Sequence, residues 1–280
     1  NAEKYTIVIH GGAGSMDPQM DVTLKQAYLN SLTKALQIGK DILQDGGTSL
    51  DAVEQVVRFL EDDSLFNAGR GAVFTSAGTN ELDASIMDGR DLSSGAVAGV
   101  TIIKNPISLA RLVKEKTPHI LFAGKGADEL GIEFGVEIVD PSYFFVYERY
   151  KELERKLKKI KGTVGCVAID KNGNIAAATS TGGLTGKIPG RVGDSPIINA
   201  GTYANNKTCG VSATGIGELF IKNAACLTVS VLMEYKAYTL KQATDEVIFK
   251  VLPEGSGGII SIDSNYNYEL TFNTPSMLRG

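Results

Sequence analysis

Residues 162–183 of the chain have the sequence GTVGCVAIDKNGNIAAATSTGG. Two short runs, 163–169 and 174–180, consist mainly of apolar, β-branched and small residues, which is typical of buried strands. The four residues between them, Asp170-Lys171-Asn172-Gly173, are a turn sequence. The stretch therefore predicts two buried strands that are joined by a turn.

The segment just before these strands has the opposite composition. In 148–161 (ERYKELERKLKKIK), ten of the fourteen residues are charged, and the four apolar ones have helical spacing. We interpret 148–162 as a solvated helix or a charged linker. A nucleic-acid-binding helix is the alternative, but no aromatic residues alternate with the basic ones.

The rest of the chain shows both strand and helix patterns. A strand is predicted at 5–10, ending at the glycines of 11–14, and a capping-box-like start at Thr48 and Asp51 predicts a helix. The other predicted elements are helices at 22–44, 106–116, 217–235 and 239–252, a strand region at 71–103 that includes 72–75 and 96–103, and strands at 258–263 and 266–272.

Composition limits the class of protein. The 280 residues include 28 basic and 32 acidic side chains, a net charge of −4, and 43% are hydrophobic. These values argue against disorder and give no electrostatic footprint for nucleic acid. No apolar run approaches the roughly 18 residues of a membrane-spanning helix. Three cysteines without a CxxC pair, and no signal-peptide pattern, predict buried reduced thiols in a cytoplasmic protein.

Several familiar catalytic patterns are missing from the sequence. His10 and His119 are the only histidines, too few for a three-histidine zinc site, and neither HExxH nor GxSxG occurs. We interpret both histidines as structural. The stretch 182–187 (GGLTGK) resembles a phosphate loop, but it lacks the first glycine and the final Ser or Thr. Nucleotide binding is therefore poorly supported.

Glycine and threonine are concentrated in one region. Twelve of the 32 glycines lie in 162–217, and eight of these twelve are in the fragments GTVG, TSTGG, GRVGDSP and SATGIGE. Glycine lets the backbone approach a ligand and point N–H groups at it. A threonine becomes a nucleophile when a base activates it, and its own α-amine is in reach once the preceding peptide bond is cut. The junction 162–163 lies at the end of the charged segment, which packs poorly, so that cleavage there would disturb the fold least.

Longer motifs point to a family that uses this chemistry. The chain resembles the plant-type (type III) asparaginases and isoaspartyl peptidases, which are N-terminal-nucleophile hydrolases. The motifs are HGGAG at 10–14, FNAGRGAVFTSAGTNELDASIMDG at 66–89, the block 162–218, and the closing residues from Thr271. The resemblance covers nearly the whole chain. It implies an α+β fold, a four-layer αββα sandwich built from the two subunits of one self-cleaved precursor.

The resemblance also implies a mechanism. The precursor would cleave itself between Gly162 and Thr163, leaving an α subunit, 1–162, and a β subunit, 163–280, that together form one globular domain. The Thr163 hydroxyl would attack the side-chain carbonyl of L-asparagine or of a β-aspartyl dipeptide, and the Thr163 amine would accept the proton. The other implied catalytic residues are Asn67, Thr181, Thr214 and Gly215, of which Thr214 and Gly215 match the oxyanion hole.

Further residues match the substrate and ion sites of the family. Arg191 and Asp194 match the groups that bind the α-carboxylate and α-ammonium of the substrate, with Gly217 beside them. No cofactor for catalysis is implied, but a structural Na⁺ is. Its ligands would be the backbone carbonyls of Leu60, Glu61, Asp63, Phe66, Ala68 and Arg70. The implied assembly is a dimer of αβ heterodimers, with no nucleic-acid or membrane partner.

Two alternatives stay open at the level of sequence. A glycosylasparaginase-like hydrolase shares the threonine and GRVGDSP, but that branch tends to have Asp before the nucleophile and a TSTNG-like motif. This chain has Gly162 and TSTGG. The second alternative is an uncleaved, inactive precursor that only binds a small amino acid through Arg191 and Asp194.

Overall fold

The strands form two sheets. The computed structural model describes residues 4–14, 20–155 and 162–280. Within them, the larger sheet has the order β11 (Ser276–Arg279), β1 (Thr6–Gly14), β5 (Val164–Ile169), β6 (Ile175–Thr181), β2 (Leu82–Asp88), β3 (Ser94–Val100) and β4 (Leu121–Ala123). The smaller sheet has the order β10 (Tyr268–Phe272), β9 (Gly257–Asp263), β8 (Cys209–Gly215) and β7 (Thr202–Ala204). β3 and β4 are parallel, and the other pairs are antiparallel.

Helices cover the outer faces of both sheets. The larger sheet packs against α1 (Val22–Gln44), α2 (Ser49–Asp62) and α3 (Pro106–Lys116), and the smaller sheet packs against α7 (Ala225–Lys236) and α8 (Leu240–Glu246). β1, β5 and β6 of the larger sheet contact β8 and β9 of the smaller one. The order of layers is therefore helices, sheet, sheet, helices, and the expected α+β class is confirmed. The other α-helices in the described part of the chain are α4 (Gly124–Phe134), α5 (Tyr147–Glu154) and α6 (Gly217–Lys222).

The predicted strand pair, now β5 and β6, lies in the middle of the larger sheet. Cys166 pairs with Ala178, and both face the apolar core beneath the helices. Ile169 pairs with Ile175, and both face the core between the sheets and α7. Because successive side chains of a strand point to opposite faces, a strand covered on both faces is apolar at every position. This explains the continuous apolar runs of the sequence.

One predicted strand boundary and one predicted strand are wrong. β1 continues through the glycines to Gly14, with an irregular register between His10 and Gly12, because glycine tolerates the φ of +112° at Gly12. Residues 72–75 are not a strand. The Asn80 side chain binds the carbonyls of Ala72 and Val73, so these groups have no strand partner.

Two predicted helices are interrupted. The segment 217–235 forms α6 and α7, with Ala224 between them at a φ of +42°. The segment 239–252 begins with the predicted type of cap, because Thr239 and Gln242 form a capping box. α8 then ends at Glu246, and Val247–Val251 continues as a π-helical turn.

The charged segment is helical at 147–154, but part of it is not solvated. Arg149 is only 6% exposed, and its Nε and Nη2 donate to the carbonyls of Gly71 and Leu65 at 3.0 and 2.9 Å. The interpretation of a wholly solvated helix or linker is therefore wrong for this residue. The rest of the predicted linker, 156–161, lies outside the described residues.

The cysteines are buried, as the sequence predicts. In the parts of the chain that the structure describes, no helix has both the length and the apolar character to cross a membrane.

Arg149 provides a test of this packing. We expect Arg149→Met to lower the free energy of unfolding by about 1.5–3 kcal/mol, because two buried carbonyls lose a charged donor. Urea denaturation of the purified protein measures the loss. Arg155, exposed at the end of the same helix, is the matched control, and Arg155→Met should change stability by less than about 0.5 kcal/mol. Equal effects of the two substitutions would contradict the buried role.

Candidate active site

The antiparallel pairing of β5 and β6 places Thr163 beside Thr181. Val164 pairs with Ser180, so the residue before β5 lies next to the last residue of β6. The Thr163 hydroxyl donates to Oγ1 of Thr181 at 3.2 Å, and the Thr163 residue is 7% exposed. Two predicted catalytic threonines are therefore in contact because the hairpin folds back on itself.

The carbonyl oxygen of Gly162 accepts two hydrogen bonds. Asn67 Nδ2 donates to it at 2.8 Å, and Thr181 Oγ1 donates at 3.0 Å. The Asn67 amide is oriented by further bonds, to the carbonyl of Gly183 at 2.7 Å and from the N–H of Val73 at 2.9 Å. The peptide bond predicted to be cut is thus the one whose carbonyl the site polarises.

The HGGAG segment passes directly over this junction. A Cβ atom at Gly12 would lie 2.9 Å from the Cα of Gly162, a distance that real Cβ contacts do not show. One residue further on, the N–H of Ala13 donates to Oγ1 of Thr214 at 3.0 Å. The end of β1 therefore contacts both the 162–163 junction and Thr214. Gly215 follows Thr214 at a φ of +150°.

His10 contacts the backbone of Thr163, the predicted nucleophile, and the sequence analysis missed this contact. Its Nδ1 lies 3.0 Å from the Thr163 carbonyl oxygen, and its Nε2 lies 3.0 Å from Oγ of Ser212. Burial lowers the pKa of His10 to about 3. The ring is therefore neutral near pH 7, and Nδ1 carries the proton because a carbonyl oxygen can only accept. The HGGAG motif was the available signal.

The predicted ammonium-binding residue is buried and incompletely paired. Asp194 Oδ2 has no hydrogen-bond partner among the described residues. Burial raises the pKa of Asp194 to about 7, although the charge of Arg191 acts to lower it. A Cβ at Gly217 would lie 2.8 Å from Oδ1 of Asp194, so the glycine leaves room for this carboxylate. An α-ammonium group would supply the partner that Oδ2 lacks.

The guanidinium of Arg191 is paired with Glu218. Nε and Nη2 of Arg191 donate to the two carboxylate oxygens of Glu218 at 2.9 and 3.0 Å. Glu218 therefore holds Arg191 in the bidentate manner that a substrate carboxylate would use. The sequence analysis did not single out Glu218, although it follows Gly217 in SATGIGE.

The predicted Na⁺ loop presents unused carbonyl groups. Among the described residues, the carbonyl oxygens of Leu60, Glu61, Phe66 and Arg70 accept no hydrogen bond, whereas those of Asp63 and Ala68 each accept one from a backbone N–H. A Cβ at Gly69 would lie 2.3 Å from the Glu61 carbonyl oxygen, so only glycine permits this turn, at a φ of +51°. Oxygen atoms of this kind suit a hard cation.

Comparison with known proteins identifies the family of this chain. A family model described as asparaginase matches residues 3–280. The chain belongs to the asparaginase family. It is 45% identical to the isoaspartyl peptidase of Escherichia coli over 99% of this chain and 92% of that protein. It is 42% identical to the human isoaspartyl peptidase/L-asparaginase over 97% of this chain and 91% of that protein. The resemblance stated from sequence motifs is thereby confirmed, and the chain is a hydrolase.

The contact of HGGAG with the predicted cleavage junction can be tested in this asparaginase-family chain. We expect Gly12→Ala to lower the free energy of unfolding by about 1–3 kcal/mol, because alanine is strained at this φ and its Cβ meets Gly162. Gly126→Ala, in α4 with open space around the new Cβ, should be neutral or stabilising by up to about 1 kcal/mol. Urea denaturation checks both, and a Gly12→Ala variant as stable as Gly126→Ala would contradict the close approach.

Proposed function

We propose that the chain is a self-processing amidohydrolase that hydrolyses L-asparagine to aspartate and ammonia and cleaves β-aspartyl dipeptides, with Thr163 as the nucleophile. The observation that carries this proposal is the Gly162 carbonyl, which Asn67 and Thr181 polarise next to the Thr163 hydroxyl. The names of the relatives support both substrates.

Self-cleavage would begin with attack of Thr163 Oγ1 on the carbonyl carbon of Gly162. The hydrogen bonds provide a path for the proton: Thr163 donates to Thr181, and Thr181 donates to the Gly162 oxygen. As the new C–O bond forms, the Thr163 proton passes to Thr181, and the Thr181 proton passes to the developing oxyanion. The C–N bond then breaks as the proton on the Gly162 oxygen is transferred to the nitrogen, which leaves an ester and a free amine, and water hydrolyses the ester.

The same hydroxyl would then act on the substrate. The freed α-amine of Thr163 accepts the hydroxyl proton while Oγ1 attacks the side-chain carbonyl. Thr214 Oγ1 and the N–H of Gly215 stabilise the oxyanion, typically by about 3 kcal/mol for each donor. Ammonia or an amino acid leaves, and water releases aspartate from the acyl-enzyme. The support for Thr214 is its placement by the N–H of Ala13, next to the segment that covers Gly162.

The aspartyl end of the substrate would bind at Arg191 and Asp194. The unpaired, buried Oδ2 of Asp194 supports a site for the α-ammonium. In the structure, Arg191 donates to Glu218. The substrate α-carboxylate would replace Glu218 as the acceptor of these hydrogen bonds. Asparagine and β-aspartyl dipeptides have this end in common, which explains how one site serves both.

The loop of residues 60–70 would hold Na⁺ through its backbone carbonyls, with no part in the chemical steps. Its unused oxygens support this assignment. The α subunit 1–162 and β subunit 163–280 would share the αββα sandwich, since β1 and β5 are neighbours in one sheet. We extend the proposal to a dimer of such αβ units, which the family resemblance implies, and to a cytoplasmic location.

Cleavage at Gly162-Thr163 is the first test. Residue counts of 162 and 118 out of 280, applied to 29.7 kDa, correspond to fragments of roughly 17 and 13 kDa. Mass spectrometry should find a fragment that begins at Thr163. Thr163→Ala should give one uncut band and no ammonia from asparagine, whereas Thr163→Ser, which keeps a hydroxyl, should still split. A wild-type chain that stays intact and releases no ammonia would contradict the proposed hydrolase and favour the alternative of an uncleaved amino-acid-binding protein.

The pH dependence of KM tests the role of Asp194. Because its pKa in the free protein is about 7, Asp194 is charged above that pH and neutral below it. We expect KM for asparagine to be flat between about pH 8 and 8.5 and to rise below about 7, approaching a tenfold increase per pH unit. Asp194→Asn should raise KM and remove this dependence. A wild-type KM that stays flat from pH 5 to 8 would contradict the assignment.

A further inference from the structure

A chain of buried hydroxyl groups leads away from the nucleophile. It begins at the Thr163 carbonyl, which binds His10 Nδ1, and continues from His10 Nε2 to Ser212 Oγ, both at 3.0 Å. The next three contacts are each 2.7 Å, and the last, to the carbonyl of Ser195, is 2.6 Å. The hydroxyl network, as we call it, consists of Ser212, Thr179, Thr202 and Ser85.

The hydroxyl network crosses between the two sheets. Thr179 is in β6 and Ser85 is in β2 of the larger sheet, while Thr202 is in β7 and Ser212 is in β8 of the smaller one. All four residues are fully buried. A buried hydroxyl without a partner destabilises a protein, and alanine or valine would fill the same space without that cost. We therefore expect these four hydroxyl groups to have a function in addition to packing.

One end of the network sets the direction of its protons. Because the Thr163 carbonyl can only accept, Nδ1 of His10 carries the proton, and Nε2 must accept a hydrogen bond from the Ser212 hydroxyl. Ser212 then accepts from Thr179, and Thr179 accepts from Thr202. Longer contacts to the backbone carbonyls of Gly201, Ala178 and Ser195, at 3.2 to 3.4 Å, are the weaker options.

At the far end of the network, one hydroxyl proton is available for two hydrogen-bond acceptors. Ser85 has a single hydroxyl proton, but it lies within hydrogen-bond distance of two acceptors, Oγ1 of Thr202 at 2.7 Å and the Ser195 carbonyl at 2.6 Å. Any movement of the Ser195 peptide changes how that proton is shared. Because each hydroxyl polarises the next, the change reaches His10. Ser195 is the residue after Asp194, so this peptide belongs to the loop proposed to bind the ammonium.

We propose that His10 and the hydroxyl network are positioning residues that couple the aspartyl-binding loop at Asp194 to the nucleophile Thr163. This inference rests on the proposed function. His10 orients the Thr163 backbone, and the Thr163 carbonyl is retained after cleavage, so the coupling acts both in self-processing and in turnover. Ser85 orients the peptide beside Asp194. A ligand at Asp194 therefore adjusts the nucleophile through hydrogen bonds rather than through apolar packing.

A double-mutant cycle tests the coupling. Ser212→Ala should lower kcat by about 5- to 50-fold and leave KM within about twofold, because it disturbs the nucleophile end. Ser85→Ala should mainly raise KM. The loss of kcat/KM in the double variant should be smaller than the product of the single losses by about threefold or more, because both changes break one network.

Ser230 provides a matched control for the removal of a buried hydroxyl. Its Oγ pairs with Oγ1 of Thr208 at 2.6 Å, and none of its hydrogen bonds leads to His10 among the described residues. Ser230→Ala should lower the stability of the protein but leave kcat and KM within about twofold, and its losses should multiply with those of Ser85→Ala. A Ser85–Ser212 cycle that is multiplicative, like this control, overturns the proposal.

A second measurement does not depend on activity. The chain has only two histidines, and His119 is exposed, so ¹⁵N-histidine labelling and a His119→Gln variant assign the His10 signals. Ser85→Ala should shift the ¹⁵N resonances of His10, although Ser85 does not touch it, and Ser230→Ala should not. Unmoved resonances in Ser85→Ala overturn the proposal. If wild-type protein neither splits nor releases ammonia, the proposed function fails, and these resonances alone decide whether the network is coupled.

Discussion

The register in which β5 pairs with β6 organises this molecule. It directs Cys166 and Ala178 toward the helices and Ile169 and Ile175 toward the second sheet, so that one hairpin supplies both cores. A shift of one residue would move every side chain to the opposite face. The same register puts Thr163 next to Thr181. The requirement to bury two apolar faces thus fixes the position of Thr163, the proposed nucleophile, before any chemistry is considered.

Burial then gives the polar groups of the site their properties. Removing charge from water is costly, so His10 is neutral and the pKa of Asp194 is raised to about 7. The two buried groups differ in how many hydrogen-bond partners they have. His10 has a partner at each ring nitrogen, whereas Asp194 keeps one oxygen without a partner. A fully paired buried group holds a fixed geometry, whereas Oδ2 of Asp194 can still accept a hydrogen bond from a further partner.

Local sequence patterns predicted the elements well where the pattern itself carried the constraint. The helix 22–44 and the cap at Thr48 depend on neighbouring residues, and both are present as predicted. Residues 72–75 have the composition of a strand, but Asn80, distant by several residues, binds their carbonyls instead. Arg149 belongs to a highly charged segment, yet its side chain is buried and donates hydrogen bonds to two backbone carbonyls of residues distant in the chain. In both cases a tertiary partner outweighs local composition.

The sequence by itself determined the family, the hydrolase class and the residue types of the site. The reason is that long motifs with glycine, threonine and a few charged residues can be recognised without knowing which residues contact them. Only the tertiary structure decided which group bonds to which. The pairing of Arg191 with Glu218, the hydrogen bonds at the Gly162 carbonyl and the contact of His10 with Thr163 join residues far apart in the chain. Hydrogen bonds depend on distance and direction in space, which the order of residues does not encode until the sheets are packed.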